Sequence, residues 1–71
     1  MQHLGINIKK LRRKHGMTQL MLAEAIGKTS TYISKLENNE TRGNLDTLSD
    51  IARAFSVSLN DLLKEPTKEG K

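Results

Sequence analysis

The sequence predicts an all-α fold: a compact domain of five short helices around one shared core. Three observations carry this. Apolar residues recur at three- and four-residue spacing in five separate stretches, and no stretch alternates polar and apolar as a strand would. Thr18, Thr29, Asn44 and Ser58 stand just before four of those stretches, where a short polar side chain caps a helix N-terminus. At 71 residues, the chain has the size of one small domain with a marginal core.

The first helix runs from Leu4 to about His15, after a frayed end at Met1 to His3. Leu4, Ile8 and Leu11 form its apolar stripe, with Ile6 beside them. Lys9, Lys10, Arg12, Arg13 and Lys14 fill the remainder. One or two of these are expected on an anionic partner and the others in solvent. His15, before the turn at Gly16, suits a helix C-terminus as a dipole partner better than a metal ligand. In the second helix Thr18 is the cap, and Met17 and Leu22 have the spacing of a hydrophobic staple. Leu22, Ala23 and Ile26 face inward, and Gly27 suits the left-handed residue that ends the helix. Leu20 and Met21 cannot both face the core. They read either as scattered surface apolarity or as a contact for a partner protein.

Thr29 caps the third helix, and Ile33 and Leu36 are its buried stripe. Asn38 to Asn44 read as a loop of turn formers. Asn44 caps the fourth helix, with Asp46 in the first turn and Leu45, Leu48, Ile51, Ala52 and Phe55 as a buried stripe. Ser58 caps the fifth. Val57 and Leu62 staple it, Asp61 sits at the capping-box position, and Leu59, Leu62 and Leu63 follow. Pro66 stops that helix. The expected organisation is one domain over residues 1–64 and a flexible tail over 65–71.

Composition excludes several classes. The chain has no Cys, hence no disulfide framework or thiolate metal site, and its two His lie near the N-terminus. No apolar run is long enough to span a membrane, and no apolar segment follows the basic N-terminal residues as in a secretory signal, so a cytoplasmic protein is expected. No metal-ligand cluster, Gly-rich phosphate loop or Ser–His–carboxylate set appears, which argues against an enzyme and against a cofactor or small-molecule substrate. Net charge is +4, and it is unevenly placed. Residues 1–42 hold eight Lys or Arg against three acids, whereas residues 43–71 hold four against five. The positive half is therefore the one that contains the second and third helices, and a polyanion is its natural partner.

The third helix has an unusual outer face. Ser30, Thr31, Ser34 and Lys35 make it short, polar and hydroxyl-rich, where a solvated helix would carry long charged pairs. Two short helices joined at Gly27-Lys28-Thr29, the second with such a face, have the layout of a helix-turn-helix.

The chain resembles the Cro/phage-repressor helix-turn-helix family, also called the XRE family. Four segments match in order and spacing: I-K-K-L-R-R-K-H-G, M-T-Q-x-x-L-A-x-x-I-G, T-Y-I-S-K-L-E-N, and L-D-T-L-x-x-I-A-R-A-F-S-V-S-L-N-D-L-L. Together they cover about residues 4–63. The resemblance implies a lambda-repressor-like DNA-binding domain whose recognition helix, about Thr29 to Asn38, enters the major groove. It maps base reading onto Ser30, Thr31, Ser34 and Lys35. It maps phosphate contacts onto Gln19, Thr29, Tyr32, Asn38, Thr41 and Arg42. It implies a structural ion pair between Arg12 and Glu37, and a dimer contact near Leu59, Leu62 and Leu63.

The chain also departs from the family. Many relatives carry Gln or Arg where Ser30 and Thr31 stand, side chains that read adenine and guanine in bidentate fashion. Ser and Thr encode less, so this helix does not spell out an operator. Relatives often have Gly at Asn39 and Pro near Gly43. Asn tolerates the left-handed region, so the first change preserves the turn, and the second is expected to loosen the loop. The function expected is that of a double-stranded-DNA-binding transcriptional repressor, bacterial or phage-encoded and homodimeric. A protein-interaction module on the same fold, antitoxin-like or an anti-regulator partner, is the alternative.

Overall fold

A computed structural model describes residues 3–65. Of the frayed end expected over residues 1–3, only His3 is described, at the N-cap position of α1; the rest of it, the stop at Pro66 and all of the expected 65–71 tail but Glu65 lie outside the described residues. Five helices follow in order: α1 (Leu4–Lys14), α2 (Gln19–Ile26), α3 (Ser30–Glu37), α4 (Leu45–Ala54) and α5 (Leu59–Leu63). Among the described residues there is no strand, and no helix is long and apolar enough to cross a membrane.

Local chemistry fixes where the helices begin. Thr18, Thr29, Asn44 and Ser58 are extended, and each side chain accepts an N–H from its helix's first turn. In α5 the cap is reciprocal: Ser58 N–H donates to Asp61 Oδ2 at 3.0 Å while Ser58 Oγ accepts from Asp61 N–H at 3.2 Å. Lys64 adds an ion pair to Asp61 at 3.0 Å. The Lys64 bond, then the Ser58 bonds, hold the Asp61 carboxyl below the ordinary carboxylate range. In α2 the reciprocal partner is a thioether, since Thr18 N–H points at Met21 Sδ from 3.5 Å.

The helix ends share one device. Gly16, Gly27, Asn39 and Ser56 all have positive φ, and each closes a helix by donating to a carbonyl three residues back. The next residue donates to a carbonyl five back, which completes a Schellman motif. The four helices thus end in the same way, although two of the left-handed residues carry a Cβ.

The core is Leu4, Ile8, Leu22, Ala23, Ile33, Leu36, Leu48, Ile51, Ala52, Phe55 and Leu62, with Leu11, Met17, Ile26, Tyr32, Val57 and Leu59 packed around it. Helices α2 and α3 pack on each other, with α1 against α3 and α4 against α2, while α5 closes the other end between α1 and α4.

Two expectations about packing need correction. Leu45 is not in the buried stripe: it is 65% exposed. It is the first residue of α4, beyond the edge of the core, and Thr47 is buried on that helix instead. Leu62 is fully buried inside the domain, which removes it from any dimer contact. Leu59 and Leu63 keep exposed surface.

Candidate nucleic-acid interface

Helix α3 divides its residues by size and polarity. At about 100° per residue, Ser30, Thr31, Ser34 and Lys35 fall within an arc of roughly 140° on one side. Ile33, Leu36 and Glu37 are buried on the other. Thr31 and Lys35 are exposed, and Ser30 and Ser34 are half-buried. The structure therefore brings the four proposed base-reading residues onto one accessible face. Short hydroxyl side chains there leave backbone and Cβ atoms close to whatever the helix meets.

The start of α3 is fixed by Thr29, whose Oγ1 accepts the Tyr32 N–H at 3.1 Å. Tyr32 is half-buried at the boundary of the polar arc. Lys28 Nζ lies 5.6 Å from the centre of its ring. At its other end the phenol meets the loop after α3: a Cβ built on Gly43 would stand 2.8 Å from Tyr32 Oη. Gly43 has φ 66, and its N–H points at Thr41 Oγ1 from 3.5 Å. The loop that was expected to be loosened is thus specified by a glycine that has neither room nor backbone freedom for a side chain.

A buried carboxylate fixes the angle of α3. Glu37 accepts Arg12 Nε at 2.6 Å on Oε2 and Arg12 Nη2 at 3.2 Å on Oε1. Side-chain exposure is 11% for Arg12 and 3% for Glu37, so the pair sits away from solvent. Arg12 Nη1 also donates to Met17 O at 2.8 Å, and Gln19 Nε2 donates to Glu37 Oε1 at 3.1 Å. A carboxylate at a helix C-terminus opposes the macrodipole. The guanidinium and the amide offset that cost, and in doing so join α1, the α1–α2 turn, α2 and α3 at one point. Gln19 keeps a second amide hydrogen for an outside acceptor.

Asn38, Thr41 and Arg42 follow in the loop, with Asn38 and Arg42 exposed and Thr41 half-buried. Asn39, next to Asn38, has φ 60. Leu20 and Met21, whose placement was open, are both on the surface at 54% and 49% exposure. His15 Nδ1 pairs with Leu11 O at 2.9 Å and its ring lies 5.0 Å from that of Phe55.

Several positioning residues escaped the sequence reading. Asn7 is buried in α1, and its Nδ2 donates to Leu62 O at 2.8 Å and Lys64 O at 2.7 Å. It caps the C-terminus of α5 from another helix. The signal was present: Asn7 interrupts the stripe between Leu4 and Leu11. Gly5 lets α1 approach the end of α3, since a Cβ there would lie 2.5 Å from Glu37 O. A glycine in a first helical turn was its only sequence trace.

A helix-turn-helix family profile matches residues 8–62 of the chain. Antitoxin PezA of Streptococcus pneumoniae is 34% identical over 62 residues, covering 87% of this chain and 39% of PezA. The ImmF control region 10 kDa protein of Bacillus phage phi105 is 37% identical over 59 residues, covering 83% and 66%. The chain therefore spans about two fifths of PezA's length. Among solved structures, the P22 c2 repressor in complex with a synthetic operator superposes with a TM-score of 0.84 at 31% identity, covering 90% of this chain and 97% of that one. The capped α2–turn–α3 unit, the five-helix frame and these matches agree: the chain belongs to the helix-turn-helix family of the Cro/phage-repressor (XRE) type.

Proposed function

We propose that this chain is a sequence-specific double-stranded-DNA-binding transcriptional regulator of the cytoplasm, and that it acts as a repressor. The observation that carries the reading is the α3 face, with Ser30, Thr31, Ser34 and Lys35 accessible together on a helix that buries Ile33, Leu36 and Glu37 on its other side. The helix enters the major groove. Lys35 reaches guanine O6 and N7, and the hydroxyls meet base edges with less discrimination. Gln19, Thr29, Tyr32, Asn38, Thr41 and Arg42 meet phosphates and set the register. The P22 c2 repressor, similar over nearly its whole solved chain, was captured on an operator, which supports the same partner here. A homodimer touching through Leu59 and Leu63 places two recognition helices about 34–36 Å apart, one DNA turn.

The test is a titration against genomic fragments that include the chain's own promoter, with competitor DNA and two salt concentrations. Selective binding that weakens with salt, and loses selectivity in Ser30→Ala, Thr31→Ala and Lys35→Ala, is the expected result. Equal weak binding to all fragments, unchanged by those variants, refutes base reading.

A second reading has its own support. Leu20 and Met21 form adjacent exposed apolar surface on α2, and one relative is named an antitoxin. In this reading a protein partner docks there. Binding to DNA only when that partner is present separates it from the first.

A further inference from the structure

Every helix after α1 starts with a cap from its own flanking residue. Helix α1 does not: His3, at its N-cap position, makes no side-chain cap bond. The acceptor comes instead from Asn39, thirty-four residues away, whose Oδ1 takes the Gly5 N–H at 3.2 Å. Asn39 is also the left-handed residue that closes α3, where its N–H donates to Leu36 O at 3.1 Å and the following Glu40 N–H donates to Lys35 O at 2.8 Å. One residue therefore ends the recognition helix and begins the first helix.

The contact is close. A Cβ on Gly5 would lie 2.5 Å from Glu37 O, 2.8 Å from Leu36 O and 2.8 Å from Asn39 Oδ1. The positive end of α1 thus rests on the carbonyl end of α3, an attractive arrangement of dipoles. Glycine would satisfy the backbone at position 39 at lower conformational cost. Asn brings a side-chain amide, and its oxygen is the atom that takes the Gly5 N–H. That oxygen is anchored at the root of the loop carrying Asn38, Thr41 and Arg42.

We propose that Asn39 is a positioning residue for DNA binding: by capping α1 across the fold, it holds the loop after α3 at the height where Asn38, Thr41 and Arg42 reach the phosphates. This rests on the proposed function and adds a residue with no required DNA contact of its own. Loss of the amide releases the loop root without straining it, so loop contacts weaken while the α3 face keeps its shape.

The decisive variant is Asn39→Gly, which keeps the left-handed backbone and removes the acceptor. Hydrogen exchange of the Gly5 amide in the free protein is expected to accelerate. Affinity for the selected operator is expected to fall about fivefold, the order set by one positioning hydrogen bond. Preference among operator variants is expected to stay as it was. In an Asn38→Ala/Thr41→Ala/Arg42→Ala background, Asn39→Gly is expected to cost nothing further, because the contacts it positions are gone. An equal loss in both backgrounds, or an unchanged affinity, overturns the proposal. An unchanged Gly5 exchange rate overturns the cap itself and leaves the DNA reading standing. Absence of selective binding by the unsubstituted protein instead overturns the proposed function and this role with it.

Discussion

Arg12 and Glu37 meet through two hydrogen bonds, 2.6 and 3.2 Å long, between α1 and the end of α3. Nearly all of the Glu37 side chain is out of solvent. Removing one partner strands the other charge, at a cost of roughly 3–5 kcal/mol. Glu40, exposed in the adjoining loop, has no such burial. Glu37→Ala should therefore lower the thermal midpoint far more than Glu40→Ala. Equal midpoints for the two variants would remove the pair from the account of stability.

Ser56 closes α4 with φ 59, a conformation that a Cβ penalises. Its N–H donates to Arg53 O at 3.1 Å, and the motif itself is complete. Ser56→Gly is expected to stabilise by about 1 kcal/mol, a rise of about 4–8 °C in the midpoint for a domain of this size. A lower midpoint in a calorimetric scan would show that the Ser56 side chain contributes something beyond the turn.

Gly43 faces two obstacles to substitution, its φ of 66 and the Tyr32 hydroxyl. Gly43→Ala should cost about 1–3 kcal/mol in denaturant unfolding. Part of that cost should vanish in the Tyr32→Phe background, where the nearest atom is gone. Strict additivity of the two changes would assign the whole penalty to the backbone.

Asn7 supplies both hydrogen bonds that end α5 from outside it. Asn7→Ala leaves the Leu62 and Lys64 carbonyls without that donor, at about 1–3 kcal/mol. Amide exchange should rise first in α5 and the residues after it. A uniform rise across all helices would mean that Asn7 supports the core as a whole.

Asp61 gives a direction for pH. Its folded-state carboxyl titrates below the ordinary range, chiefly through Lys64 and then Ser58. Its contribution is present above the unfolded-state value and is lost as pH falls through the folded-state value. Asp61→Asn should therefore flatten the acid limb of the stability profile slightly. A steeper limb would contradict the sign.

Much of the frame was readable in the residues. The caps Thr18, Thr29, Asn44 and Ser58 act on backbone three positions away, so short-range sequence contains all their information. The α3 face was readable for the same reason, since helical periodicity alone places Ser30, Thr31, Ser34 and Lys35 together. Asn7, Gly5 and Asn39 were not, because their partners stand at least thirty residues away in the chain. Leu45 misled because its spacing matches the stripe, while the core ends one turn later. The Arg12–Glu37 pair spans twenty-five residues, and family resemblance rather than periodicity pointed to it.

Whether α3 reads the major groove from a dimer is decided by guanine N7 methylation interference on the selected fragment. Interference is expected in two half-sites one helical turn apart, with the signal at the guanine facing Lys35 lost in Lys35→Ala. Binding that ignores N7 methylation throughout the site, in protein shown to be folded, would contradict it.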